Sequence, residues 1–168
     1  PPLDDELTYM KRGTLLIGLL DPFGNRAAIE HYAGAGIDAF AMELMPRISR
    51  AQSMDVLSSQ SNLAGYKAVI DAAALYGRAM PMMMTAAGSI APARVMVFGA
   101  GVAGLQAIAT ARRLGAIVSA TDVRPVAKEQ VESLGASFVM VESEEIEQAE
   151  TSGGYAKEMS EDYQKAQA

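Results

Sequence analysis

The sequence predicts an α/β protein made of parallel β-α-β units in two subdomains joined by a long helix. Three observations carry this prediction. Apolar runs at Gly13 to Leu20 and Ile37 to Met42 flank a short helical segment. Further on, apolar runs at Val95 to Phe98, Ile117 to Thr121 and Phe138 to Val141 alternate with helical segments. Between the two groups, the stretch from Ser59 or Asn62 to about Met80 contains no proline and is rich in small residues. Residues 1–80 are expected to form a partial first subdomain with the linking helix, and 81–168 the second.

Residues 1–13 are polar and weakly helical, with Lys11 and Arg12 ahead of Gly13. The Asp21-Pro22-Phe23-Gly24-Asn25 stretch is a turn, Asn25 can cap a helix from Arg26 to Ala35, and Gly36 ends it. No phosphate-binding glycine pattern occurs in this unit. Glu43 to Asp55 is polar and irregular, and follows the carboxyl end of a strand, where ligand sites of α/β proteins lie. It carries Arg47, Gln52 and Asp55, with Ser58 just beyond; the plainer reading is a solvated loop. On the long helix, Leu63, Tyr66, Ile70, Ala73, Gly77 and Met80 share one face at helical spacing. Its small side chains suit close packing on another helix, within the chain or across a dimer. Pro81 cannot continue it cleanly, and Met82, Met83 and Met84 read as core filling.

The stretch Arg94 to Arg124 carries the chemistry. Val95 to Phe98 reads as a strand buried on both faces. Gly99, Gly101 and Gly104 follow with G-x-G-x-x-G spacing. Leu105, Ile108, Ala109 and Arg112 then recur at helical spacing, and Gly115 is a stop. Ile117 to Thr121 is the next strand, with Asp122 at its carboxyl end. The combination is specific where the glycine pattern alone is weak. Gly99 permits the tight turn, Gly101 lets a pyrophosphate approach the backbone, and Gly104 lets the helix pack on the sheet. The amino end of the helix presents unpaired N–H groups to phosphate. Asp122 can accept from both adenosine-ribose hydroxyls and would repel a 2′-phosphate, favouring NAD, whereas Arg124 beside it could hold that phosphate. The plainer alternative is a glycine-rich turn with no ligand. Pro125 to Leu134, ended by Gly135, and the strand from Phe138 complete one Rossmann-like half. Beyond it, Glu142 to Glu150 is an acidic run, read as a solvated helix face, and Thr151 to Tyr155 is a hinge-like loop.

Bulk properties narrow the classes further. With 168 residues, 50% of them hydrophobic, the chain can bury a substantial core. The net charge of −6 without a basic stripe argues against nucleic acid. There is no cysteine and the single histidine is His31, which excludes disulfides and thiolate or histidine-rich metal sites. No stretch reads as a membrane-spanning helix or signal peptide. The chain opens Pro1-Pro2 without methionine, and is expected to be a piece of something longer or a processed chain.

Several stretches together resemble a known family. They are Met42 to Tyr66 (M-E-L-M-P-R-I-S-R-A-Q-S-M-D-V-L-S-S-Q-S-N-L-A-G-Y), Gly99 to Ala111 (G-A-G-V-A-G-L-Q-A-I-A-T-A), A-T-D-V-R to Arg124, Lys128 to Gly135 (K-E-Q-V-E-S-L-G) and Gly153 to Met159 (G-G-Y-A-K-E-M). In order, they are similar to the NAD(H)-binding domain of proton-translocating nicotinamide nucleotide transhydrogenase, and more broadly to alanine dehydrogenase. The resemblance implies a peripheral homodimer with NAD(H) held between two α/β subdomains. Hydride would pass to NADP(H) on a separate domain, coupled to proton flow through a membrane domain. It implies a place on the cytoplasmic face of the inner membrane, or the matrix side in a eukaryote. By the same resemblance Arg47, Gln52, Asp55 and Ser58 grip the nicotinamide end, with Gln52 also facing the partner's NADP(H). Val102 lies under the dinucleotide, and Asp122, with Val123 and Arg124, meets the adenosine ribose. Gly154, Tyr155 and Met159 belong to a mobile loop closing over nucleotide, and Tyr66 lies near the dimer contact. Parts of both subdomains of that family are missing from this span, so it is not expected to transhydrogenate alone.

Two other functions compete. A soluble alanine-type dehydrogenase needs an acid/base group, for which His31, on a helix rather than at a strand end, is the one histidine available. A non-catalytic NAD-binding module needs neither. Hydride transfer between nicotinamides asks only for alignment and exclusion of water, which agrees with the absence of any nucleophile, triad or metal motif.

Overall fold

A computed structural model describes residues 1–46 and 48–140 of the chain. Two compact units are present, Pro1–Gln60 and Ser61–Ala168.

In the first unit, a short helix α1 (Asp4–Leu7) precedes strand β1 (Leu15–Gly18), helix α2 (Arg26–Ala35) and strand β2 (Asp38–Ala41). The strands pair in parallel, from Leu15 against Asp38 to Gly18 against Ala41. Helix α2 starts where the Asn25 side chain accepts from the Ala28 N–H at 3.2 Å and stops at Gly36, so both ends follow their capping residues. Leu20, Tyr32 and Ile37 form the buried core. The opposite sheet face leaves Leu15, Ile17 and Phe40 exposed. Past β2, the stretch expected to be irregular forms 3-10 turns at Met42–Leu44 and Ser49–Met54.

In the second unit, strands β5 (Arg94–Phe98), β6 (Ile117–Thr121) and β7 (Ser137–Phe138) form a parallel sheet in that order. Helices α4 (Val102–Arg113) and α5 (Ala127–Ser133) connect them. Ile108, Ala111, Val118, Ala120, Ala127 and Val131 are the centre of the core. β5 was expected to be buried on both faces. Its exposure alternates instead, with Val95 and Val97 turned to the core and Phe98 73% exposed. Period-2 geometry sends successive side chains to opposite faces, and the helices cover one of them.

Helix α3 (Val56–Tyr76) starts earlier than expected, because Asp55 caps it, and ends at Gly77, whose φ is 67°. Its packing face also differs from the expected one. Leu63 and Tyr66 are exposed, while Gly65 and Val69 are buried. A methyl group on Gly65 would collide with the Ala103 carbonyl oxygen of α4. The closest approach selects the smallest residue rather than the largest, which is why the large apolar side chains misdirect the assignment.

Strands β3 (Met83–Thr85) and β4 (Gly88–Ile90) make an antiparallel hairpin that the sequence pattern does not announce. The methionines expected to fill core lie on it in the open, Met84 being 77% exposed.

Candidate functional site

Parallel pairing of β5 with β6 runs to Phe98 against Thr121. The next residues, Gly99 and Asp122, therefore emerge side by side at the carboxyl edge of the sheet, where α/β proteins bind ligands. The Gly99 N–H extends the ladder by donating to the Thr121 carbonyl at 2.8 Å. Its φ of 90° then turns the chain, a conformation that only glycine adopts without strain.

The other two glycines answer to different constraints. Gly104 sits in the first turn of α4, where a methyl group would collide with the Gly99 carbonyl oxygen. Helix and turn touch backbone to backbone there. Gly101 has φ −75° and ψ −167°, open to any residue, and a methyl group on it would meet no atom within 4 Å. Nothing inside the fold requires glycine at 101. The amino end of α4 begins at Gly101 with no side-chain cap, so its first N–H groups lack an intrahelical partner. Val102, the first residue of α4, is partly exposed. Uncapped donors and clear space at Gly101 suit the dinucleotide pyrophosphate that the sequence motif implies.

Asp122 is 6% exposed and accepts four hydrogen bonds. Its Oδ2 accepts the Ala100 N–H at 2.7 Å, which ties the middle of the glycine turn to the end of β6. Its Oδ1 accepts the Arg124 N–H at 2.8 Å. The Arg124 guanidinium adds Nε to Oδ1 and Nη2 to Oδ2, each at 3.0 Å. Val123 lies between them, half-buried. The turn fastener at Ala100 is a backbone group, so no side-chain motif could announce it.

Burial alone would raise the Asp122 carboxyl, but the Arg124 side chain and the backbone N–H groups of Arg124 and Ala100 outweigh it and hold the pKa below the ordinary value. The unfolded chain binds a proton more readily than the folded one at this carboxyl. Its contribution to stability is therefore complete above about pH 4, the unfolded carboxyl's own range, and is lost as pH falls through the lower folded value. Urea unfolding of the parent and Asp122→Asn should differ at pH 6, and that difference should shrink steadily below pH 4. A constant difference would mean that the charge plays no part.

The first unit holds the other candidate residues. A pocket of about 140 Å³ is lined by Pro46, Ile48, Ala51, Gln52, Asp55 and Ser58. For scale, an apolar cavity of about 150 Å³ holds a benzene-sized ring. The Ser58 N–H donates to Asp55 Oδ1 at 3.0 Å and its hydroxyl to Oδ2 at 2.7 Å. Asp55 is thus the amino-terminal cap of α3, a structural role that the sequence pattern did not assign. Gln52 is exposed. Arg47 lies outside the described residues, as do Gly154, Tyr155 and Met159 and the acidic run beyond residue 140.

A further residue missed from sequence is Glu43. Its Oε1 accepts the Asp21 N–H at 2.7 Å, linking the carboxyl ends of β1 and β2. Asp21 has φ 50°, the one positive value outside glycine among the described residues. Burial would raise the Glu43 carboxyl, but backbone N–H groups, that of Asp21 foremost, hold its pKa below the ordinary value. Asp tolerates the left-handed region better than most residues, which leaves little trace in sequence. Among the described residues there is no cluster of three or more His, Asp or Glu that could hold a metal, and no helix long and apolar enough to cross a membrane.

Comparison with known proteins places this geometry in a family. Residues 1–64 match the alanine dehydrogenase/PNT N-terminal domain, and residues 68–164 the alanine dehydrogenase/PNT C-terminal domain. The first of the separately encoded pieces of the NAD(P) transhydrogenase alpha subunit of Rhodospirillum rubrum is 63% identical over 98% of the chain, which spans 43% of that protein. The crystal structure of transhydrogenase from Sinorhizobium meliloti superposes with a TM-score of 0.83 at 66% identity, over 87% of this chain and 42% of that one. An L-alanine dehydrogenase structure gives 0.70 at 26% identity, over 88% of this chain and 42% of that one. The chain belongs to the alanine dehydrogenase/PNT family, its sequence similar over nearly its whole length to a stretch of the transhydrogenase alpha subunit.

Proposed function

We propose that this chain supplies NAD(H)-binding elements of a proton-translocating transhydrogenase, in which hydride passes between NADH and NADP⁺ held on a partner domain. The observation that carries this reading is the glycine turn. Gly101 answers to no constraint of the fold, faces open space and begins an uncapped helix beside a buried carboxylate. The first N–H groups of α4 would hold the pyrophosphate, with Val102 beneath it. Asp122, Val123 and Arg124 would meet the adenosine ribose. Arg47, Gln52, Asp55 and Ser58 would align the nicotinamide end, and Gly154, Tyr155 and Met159 would close over it. Bound NAD(H) supplies the hydride chemistry; the chain's own role is to bind, orient and exclude water. A homodimer, a membrane-domain partner and a peripheral place on the cytoplasmic or matrix face complete the proposal. They rest on the similarity to transhydrogenase, of which this chain spans less than half.

The test uses the full-length polypeptide carrying this sequence. NADH should bind more tightly than NADPH. With an added NADP(H)-binding partner, hydride should reach an NADP⁺ analogue. Oxidation of NADH by pyruvate and ammonia, without any partner, would point to an alanine-type dehydrogenase instead. Binding with neither reaction would leave a nucleotide-binding module.

Gln52 gives a sharper check. A neutral amide can contact two cofactors without placing charge on the hydride path. Gln52→Asn shortens that reach, so single-turnover hydride transfer should slow at least about tenfold while NADH affinity changes less than about threefold. Equal losses in rate and affinity, read by stopped flow and equilibrium titration, would make Gln52 a binding contact only.

A further inference from the structure

The Asp122 carboxylate has no acceptor position to spare. An ionised carboxylate offers about four lone-pair sites, and four donors fill them: Ala100 N–H, Arg124 N–H, and Arg124 Nε and Nη2. Two of these donors are backbone groups, held where the glycine turn and the turn after β6 put them. The other two belong to a guanidinium on a rotatable stem, whose side chain is 15% exposed against 4% for that of Asp122. A vicinal diol needs two acceptor sites on this carboxylate. Only the sites held by the guanidinium can be vacated without unmaking the turn.

We infer that Arg124 is an internal occupant of the diol-binding edge of Asp122, which a dinucleotide must displace, and that it thereby sets how strongly the site prefers NAD over NADP. This rests on the NAD(H)-binding reading above and adds a specificity-determining residue to it. In the parent protein, ribose binding exchanges two charge-assisted hydrogen bonds for two from hydroxyls, so some of the gain is cancelled. With Arg124 removed, the carboxylate keeps its backbone donors but has empty, poorly solvated acceptor sites. Unsatisfied buried acceptors are costly, so an incoming diol gains more there. A 2′-phosphate fares the other way. Its dianion meets the carboxylate in both proteins, and in the variant it loses the cation that, once displaced, stands beside it.

The experiment is fluorescence titration of NADH and NADPH against the full-length polypeptide as parent, Arg124→Ala and Arg124→Lys, with thermal unfolding of each. Arg124→Ala should bind NADH about three- to tenfold more tightly and NADPH no more tightly than the parent, widening the preference accordingly. Its melting temperature without nucleotide should fall, and saturating NADH should restore most of the difference. Arg124→Lys keeps the charge but has a single point of donation that cannot span both oxygens. It should fall between parent and Arg124→Ala, and it carries the test if Arg124→Ala does not fold. A parent that binds NADH, with variants that bind it equally or more weakly, overturns the displacement and leaves the NAD(H) reading standing. A parent that does not bind NADH overturns both.

Discussion

Gly101→Val should lower NADH affinity by more than about a hundredfold, a loss above roughly 2.7 kcal/mol, while leaving the fold intact. The backbone at 101 is extended, so a β-branched residue is tolerated there, and the site for a Cβ is empty to 4 Å. Small added groups in open space rarely shift stability by more than about 0.5 kcal/mol. The proposed ligand, however, needs that space. Its phosphate oxygens must come within hydrogen-bonding distance of the first N–H groups of α4. A valine side chain holds them off, and charge-assisted hydrogen bonds are worth about 1.5–3 kcal/mol each. Gly104→Val is the counter-example, because its side chain would collide with the Gly99 carbonyl and should unfold the turn. Circular dichroism and urea unfolding therefore distinguish the two variants before any titration. A folded Gly101→Val that still binds NADH with parental affinity would mean that the turn is not a phosphate site.

Much of the architecture is legible because its signals are local. Asn25 and Gly36 mark both ends of α2, and Gly115 and Gly135 follow the ends of α4 and α5. Each acts through its own backbone, and context seldom overrides it. Two parallel β-α-β arrangements follow from apolar runs separated by helical spacing. Sequence pattern fails where geometry depends on a distant partner. The face of α3 is set by Ala103, far along the chain, and a helix with alanine or glycine on most sides does not reveal which side is touched. The hairpin of β3 and β4 is too short for alternation to show, and methionine carries no strong strand preference. At the candidate site, sequence supplies residue types but not their engagement. Asp55 looks available as a ligand, yet both its oxygens accept hydrogen bonds from Ser58. Glu43 looks like an ordinary loop acid, yet it fastens Asp21 in its left-handed turn.

Asp122→Ala is expected to cost both stability and nucleotide affinity, and Asp122→Asn to separate the two. In the alanine variant the Ala100 N–H loses its acceptor, and Ala100 is fully buried. Leaving a buried donor unsatisfied costs about 1–3 kcal/mol. The Arg124 guanidinium loses its bonds to the carboxylate as well, though it can turn toward water. Asparagine keeps one carbonyl oxygen, which can take the Ala100 N–H and recover some of that loss. It cannot serve both edges, because its amide nitrogen presents donors to Arg124 where the carboxylate accepted them. Urea unfolding at neutral pH should therefore rank parent above Asp122→Asn and Asp122→Ala lowest. NADH affinity should follow another order. A charge-assisted hydrogen bond to the ribose is worth about 1.5–3 kcal/mol, so both variants should weaken NADH roughly ten- to a hundredfold. NADPH should lose less or even gain, because the charge facing its 2′-phosphate is gone in both. If asparagine restores NADH affinity along with stability, Asp122 acts only by fastening the turn, and the ribose is held elsewhere. If neither variant changes the preference between NADH and NADPH, cofactor choice lies with Arg124 or beyond it.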